Sequence, residues 1–405
     1  MPRHPLGNRN LIRAINRSAV LNLIKAEGPI SRKEVSHRSG LSAATITGIT
    51  ADLMDDGLVF EKAQGDSRKG RPPILLALNP RGGYVVGLKL TENHVIGALT
   101  DLEATVLAKR TVQLGGHGPD DAVEALAEAV RGLVADGRIR RNQLLGVGVG
   151  LAGTVDAERG LLRQSPHFGW RDVPLGEMLQ RRVRVPVWID NDVNTLTLTE
   201  KWFGEGHGID DFLTVTVGRG VGMGIVVNGQ VYRGMRGGAG EFGHTVIEPE
   251  GPLCDCGKRG CLEAFVGDPA LLRLAAQAVS RGEIPPPIER MEDLVAQSEA
   301  GNPAARAIFA RAGEILGRGI ANLVNLFNPQ RIIISGEGVR AGEWLFGPMR
   351  STIAREVMPG LADMTEIRID TWGDDAWARG AASLVLRELF ESPVHREPQR
   401  AAQAA

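Results

Sequence analysis

Residues 188–194 read Trp188-Ile189-Asp190-Asn191-Asp192-Val193-Asn194. The apolar run 185–190 has the composition of a strand, and a helical pattern then continues through Glu200, so strand passes to helix with acid and amide side chains at the crossing. In open α/β sheets such a crossing is where side chains project into a cleft. The same alternation extends both ways. Upstream, β-like runs at 84–88, 95–100 and 105–112 precede a helix over 120–135 and a strand over 144–151. Downstream come strands at 212–217 and 223–228, helices near 269–280 and 303–325, a strand at 331–335 and a last helix over 376–389. Strands interleaved with helices predict an α/β body.

A chain of 405 residues exceeds one domain of ordinary size, which predicts two or three. With 43% apolar and 23% charged residues it has material for a core and lacks the composition of a disordered protein. The net charge of −1 argues at first against a polyanionic partner, but it conceals an uneven distribution. Residues 1–80 hold twelve Lys or Arg against seven Asp or Glu, net +5, and the remainder is net −6. No apolar run reaches the roughly 18–20 residues of a membrane span, and the first residues carry no apolar export signal. A cytoplasmic protein with no membrane partner is expected. The segment 391–405, rich in Pro, Gln, Arg and Ala, reads as a disordered tail.

In the basic head, Ile12, Ile15, Ala19 and Leu23 follow helical spacing up to Gly28-Pro29. Ser31-Arg32-Lys33-Glu34 is a capping box that starts a second helix, which Gly40 ends. Ser42 caps a third helix with Ile46, Ile49 and Leu53 on one face and Ala43, Thr47 and Thr50 on the other. The runs 58–60 and 74–78 read as two strands around a polar loop, 64–73. Three helices and a ribbon describe a winged helix-turn-helix over residues 1–80. Ser42, Ala43, Thr45 and Thr47 are then candidates for the major groove, and Arg68 and Arg71 in the wing for a minor groove or phosphates. A helical protein-interaction domain with a solvated charged loop is the other reading; the basic charge, helix order and wing together favour DNA.

The three cysteines lie in Cys254-Asp-Cys256-Gly-Lys-Arg-Gly-Cys261, with His244 ten residues upstream. Three thiolates and one imidazole make a closed tetrahedral set for Zn²⁺, which predicts a structural ion. The alternative is three reduced thiols without metal, since an odd number in eight residues suits no secreted disulfide framework. Gly237-Gly238-Ala239-Gly240-Glu241-Phe242-Gly243-His244 is a backbone-rich loop with one carboxylate and one imidazole, groups suited to sugar hydroxyls. Asp192 could accept a hydroxyl proton as a phosphoryl-transfer base does, although Asn191 and Asp192 also suit plain helix caps.

These motifs, with Gly218-Arg-Gly220-Val-Gly222-Met-Gly224, the segment 254–263 (CDCGKRGCLE), Leu326-Phe-Asn328-Pro329 and Ile334-Ser-Gly336-Glu-Gly338, closely resemble the ROK family (repressor, open reading frame, kinase) over residues 84–390. The head resembles that of the family's transcriptional regulators. The resemblance implies an actin-like, ribonuclease H-like ATPase fold of two lobes around a cleft: a first lobe over 81–200 completed by 376–390, and a second over 201–375 with the zinc site. It implies homodimers or homotetramers, sugar contacts from Gly153, Asn191, Asp192, Glu241, His244 and Glu263, and zinc on His244, Cys254, Cys256 and Cys261.

One departure decides between activities. Kinases of the family open this body with an Asp-x-Gly-Gly-Thr phosphate loop; here the same place reads Lys89-Leu90-Thr91-Glu92-Asn93. Glycines that let backbone N–H groups reach phosphate oxygens are gone, and Lys89 cannot manage Mg²⁺ as an Asp does. ATP and Mg²⁺ are not expected, and Asp192 is catalytic only if kinase activity is retained. The expected function is a sugar-responsive, DNA-binding transcriptional regulator, a repressor, bound to operator DNA and a monosaccharide or its derivative. The rivals are an active ATP-dependent sugar kinase with a fused head, and a zinc-stabilised interaction scaffold. His167, in Ser165-Pro-His167-Phe-Gly169-Trp170, stands where many relatives carry Asn and bears on which sugar.

Overall fold

A computed structural model describes residues 9–62, 74–370 and 375–390. Its head runs α1 (Arg9–Glu27), β1 (Ile30–Ser31), α2 (Arg32–Ser39), α3 (Ala43–Asp55), β2 (Val59–Lys62) and β3 (Leu75–Leu78). The capping box forms: the Glu34 N–H donates to Ser31 Oγ at 3.2 Å while Glu34 Oε2 accepts the Ser31 N–H at 3.0 Å. Val20, Leu21, Ile24, Val35, Ile46, Ile49 and Leu53 on its three helices are all buried. Two details differ from the sequence reading. The ribbon has a third strand, because Ile30 pairs with Leu76. Thr50 is fully buried rather than on the open face, since its spacing from Ile46 places it on the core stripe. There its hydroxyl donates to the Thr47 carbonyl at 3.2 Å and accepts Arg32 Nε at 3.2 Å. The wing loop with Arg68 and Arg71, and the segment 391–405, lie outside the described residues.

The chain then divides into two units: residues 1–190 with 377–405, and residues 191–376. The body of the first holds β4 (Tyr84–Leu90), β5 (His94–Thr100), β6 (Val106–Gln113), α4 (Pro119–Asp136), β7 (Leu144–Leu151), a small sheet of β8 (Thr154–Asp156), β9 (Leu161–Gln164) and β10 (Arg171–Val173), then α5 (Leu175–Val183) and β11 (Val187–Asn191). Its main sheet has the order β11-β7-β4-β5-β6, antiparallel from β4 through β6 and parallel between β4 and β7. Ala122, Leu126, Val130 and Leu133 of α4 are buried with this sheet.

The second unit repeats the plan. It holds α6 (Asp192–Phe203), β12 (Phe212–Val217), β13 (Val221–Val227), β14 (Gln230–Val231), α7 (Glu263–Val266), α8 (Asp268–Ser280), α9 (Met291–Glu299), α10 (Pro303–Phe327), β15 (Arg331–Ser335), α11 (Glu343–Glu356) and β16 (Glu366–Ile369). Its sheet order is β14-β13-β12-β15-β16, again an antiparallel meander followed by parallel strands. Asn302 caps α10 through Ala304 and Ala305, and Phe309, Leu316 and Ile320 on its inner face are buried with Phe346 and Met349 of α11.

The last helix, α12 (Asp375–Phe390), returns the chain to the first unit. It lies directly on the backbone of β4 and β7. A Cβ at Gly87 would fall 1.9 Å from the Ala378 carbonyl oxygen, and one at Gly148 would fall 1.7 Å from that of Ala381. Only glycine permits so close an approach. Among the described residues, no helix is long and apolar enough to cross a membrane.

Candidate functional site

At the start of α6, Asn191 Oδ1 accepts the N–H groups of Val193 at 2.8 Å and Asn194 at 3.3 Å, while Asp192 Oδ1 accepts the Val193 N–H at 3.1 Å. Asn191 is thus the helix cap foreseen from the sequence, whereas Asp192 is the first residue of α6 rather than a second cap. Both residues are half-buried at the helix N-terminus.

The loop 240–244 is pressed onto β13. Gly240 has φ of +93°, and a Cβ there would meet the Met223 carbonyl oxygen at 2.1 Å. Phe242 is buried below it, which leaves Glu241 exposed and His244 half-exposed above. The His244 imidazole faces two ways: Nδ1 lies 3.6 Å from Cys254 Sγ, and Nε2 lies 4.0 Å from Glu241 Oε2. Glu263 opens α7 and accepts the Val221 N–H at 2.9 Å, its carboxylate lying against Gly220, where a Cβ would stand 2.8 Å from Oε2. Asn191, Asp192, Glu241, His244 and Glu263 thus belong to the second unit, and Gly153 to the first. Gly153 has φ of +127° and packs against Gln164 and Ser165, the start of the turn that carries His167.

The ligand atoms of His244, Cys254, Cys256 and Cys261 all lie within 4.8 Å of one another. Cys256 Sγ and Cys261 Sγ are 3.6 Å apart, as are Cys254 Sγ and His244 Nδ1. Tetrahedral zinc with these donors has ligand-to-ligand edges of about 3.5–3.8 Å, so the four groups fit a metal such as zinc. Gly257 and Gly260, at φ of +88° and +72°, wrap the chain around them. The Lys258 ammonium donates to the His244 carbonyl at 2.8 Å, tying the knuckle to the loop above. Burial pushes the Cys254 thiol up to about 12, which a cation at the cluster would oppose by favouring thiolates.

In the first unit, the segment 89–93 at the end of β4 is held by its own side chains. Lys89 Nζ sits 3.6 Å from the centroid of the Trp377 ring, and Glu92 Oε1 pairs with His167 Nδ1 at 2.6 Å. The sequence showed Lys89, Glu92 and His167 but neither partnership. Each joins residues far apart in the chain, and no local periodicity reports such a contact.

On the head, Ser42 caps α3 by accepting the Thr45 N–H at 3.2 Å, with the two hydroxyls 2.8 Å apart. Ala43 and Thr47 are exposed on the same face, the Thr47 hydroxyl donating to the Ala43 carbonyl at 2.8 Å. Ala44, Gly48 and Ala51 extend this open face and were overlooked in the sequence, where exposed small residues carry no distinct pattern.

The fold and these sites define a winged-helix head on an actin-like sugar-kinase body. Residues 13–59 match a winged helix-turn-helix DNA-binding model, and residues 85–388 match the ROK family. The chain belongs to the ROK family. It is 33% identical over 399 residues to a putative xylose repressor of Caldicellulosiruptor sp., covering 96% of this chain and 99% of that one. It is 31% identical over 389 residues to the DNA-binding transcriptional dual regulator NagC of Escherichia coli K12, covering 95% of each. Among solved structures it resembles a ROK family transcriptional regulator, a homolog of E. coli MLC protein, with TM-score 0.85 and 29% identity over 95% of this chain and 98% of that one. A ROK family glucokinase from Streptomyces griseus, in complex with glucose and AMPPNP, matches with TM-score 0.65 and 29% identity over 75% of this chain and 99% of that one.

Proposed function

We propose that this protein is a cytoplasmic transcriptional repressor that binds operator DNA through its head and responds to a monosaccharide or sugar derivative through its ROK body, as a homodimer or homotetramer. One contrast carries the reading. The second unit keeps Asp192, Glu241, His244 and Glu263 as a set of hydroxyl-binding groups, while the place of a phosphate loop in the first is taken by the Lys89–Trp377 and Glu92–His167 pairs. A body with a sugar site and no phosphate cradle can bind without transferring. Asn191, Asp192, Glu241, His244, Glu263 and Gly153 are the proposed sugar contacts. Zinc on His244, Cys254, Cys256 and Cys261 would be structural, fixing the imidazole that also faces Glu241. Ser42, Ala43, Thr45 and Thr47, with Arg68 and Arg71, are the proposed DNA contacts.

The names of the relatives make D-xylose and N-acetylglucosamine the first sugars to try. The test is operator affinity of the purified protein, on its own promoter fragment, across a monosaccharide panel. A sugar that binds by calorimetry and shifts operator affinity supports the reading, and a panel in which none does either sinks it. A kinase reading is favoured by Asp192 alone; ADP release that depends on sugar and disappears in Asp192→Asn would establish it.

A further inference from the structure

The chain passes between its two units at two places, Asp190/Asn191 and Ala376/Trp377. The first crossing opens α6 with Asn191 and Asp192. The second opens α12, whose far end is held by the DNA-binding head. Ser18 Oγ of α1 donates to the Phe390 carbonyl at 2.6 Å, and Asn22 Nδ2 donates to the same oxygen. The last carbonyls of a helix have no partner within it, so α1 supplies what α12 lacks. The Phe390 ring is buried, with Lys25 Nζ 4.2 Å from its centroid. Ser18, Asn22 and Lys25 fall at spacings of four and three residues and share one face of α1.

Between these ends α12 has no slack. Trp377 is stacked on Lys89, and the carbonyls of Ala378 and Ala381 rest on Gly87 and Gly148 with no side chain in between. A packed helix held backbone to backbone shifts as a body rather than deforming.

We propose that α12 is the output element of the body, and that Ser18, Asn22 and Lys25 of α1, gripping Phe390, are the joint through which effector binding reaches the head. The proposal rests on the sugar-responsive reading above and adds the residues that transmit it. These three are positioning residues for the recognition helix and touch neither sugar nor DNA. Breaking the joint uncouples two activities that both survive.

The test uses the full-length chain with Ser18→Ala/Asn22→Ala, and separately Asn22→Asp, which sets a carboxylate against the Phe390 carbonyl in a side chain of the same size. Binding of D-xylose and N-acetylglucosamine is measured by calorimetry, operator affinity by anisotropy with and without sugar, and amide exchange across α1. Wild type should change operator affinity by about tenfold on binding sugar, within the ordinary range of such couplings, and the variants by less than about twofold with sugar affinity unchanged. Variants that bind sugar and keep the full wild-type change in operator affinity overturn the proposal. If wild type binds neither sugar, the rest of the monosaccharide panel is tried, and the effector reading fails only when none binds. Exchange reads the contact itself: unchanged α1 exchange in the sugar-free variants overturns the joint, while faster exchange supports it only together with the lost change in operator affinity.

Discussion

The two units are built on one plan, a three-stranded antiparallel meander extended by parallel strands, yet their first hairpin turns have been treated in opposite ways. In the second unit the turn between β12 and β13 is Gly218-Arg219-Gly220, and the Glu263 carboxylate lies against its bare backbone, accepting the Val221 N–H. In the first unit the turn between β4 and β5 is Thr91-Glu92-Asn93, and Glu92 is spent on His167. At one turn a carboxylate from elsewhere accepts a backbone N–H; at the other the turn's own carboxylate reaches out to an imidazole. Two sheets of one plan can therefore carry quite different contacts at the corresponding turn without a change of fold.

The harshest way to break this contrast is through the metal cluster. Cys254→Ser, or chelation, should remove the ion and release the His244 loop. Sugar affinity should drop more than about tenfold, with operator binding by the head retained, because a structural site contributes its binding energy to the local fold. Metal analysis beside calorimetry checks it. Gly220→Ala should come next. Its methyl would sit 2.8 Å from Glu263 Oε2, and displacing that carboxylate should cost roughly tenfold in sugar affinity, about the worth of one charged hydrogen bond.

A prediction on the first unit concerns Lys25. Burial against Phe390 lowers it from 10.5 to about 8, with Glu103 opposing the shift. Between these values the unfolded chain holds more protons than the folded one, so stability should rise with pH from about 8 to 10.5, by about 3 kcal/mol at most. Below pH 8 the whole cost of burying the ammonium is present. Melting curves of wild type and Lys25→Met across this window test it, the variant losing the slope. The smallest effect belongs to the strand that leads into the first unit's turn: Lys89→Met removes the contact with Trp377 and should cost about 1 kcal/mol or less, with sugar affinity unchanged within about twofold. A large loss of sugar affinity there would mean that the two turns are not opposites after all.

Much of this was legible in the sequence because it is local. The strand at Leu144–Leu151 and the strand at Arg331–Ser335 stand where the apolar runs placed them, and the capping box at Ser31 announced α2. The cysteine spacing announced the cluster with His244. Thr50 was misplaced because a hydroxyl looks solvent-facing until helical spacing is followed strictly. The small sheet β8 to β10 and helices α5, α9 and α11 escaped because their segments are short or carry mixed polarity. The Glu92–His167 pair joins residues well apart in the chain, and the Lys89–Trp377 contact and the grip on Phe390 span hundreds of residues. Chain patterns report which face of a helix is apolar, not which distant backbone will lie against it.

The bond from Ser18 to Phe390 spans 372 positions of sequence, and that separation acts during synthesis. A ribosome extends a chain from its N-terminus at roughly 5–20 residues per second, so α1 waits on the order of 20–75 s for the residue that receives it. Through that interval every strand and helix of the body from β4 to β16 emerges, while the Phe390 carbonyl that Ser18 and Asn22 hold has yet to be made. The contact between α1 and α12 is therefore made long after α1 itself has been synthesised, and on the proposed joint any coupling of head to body waits for it.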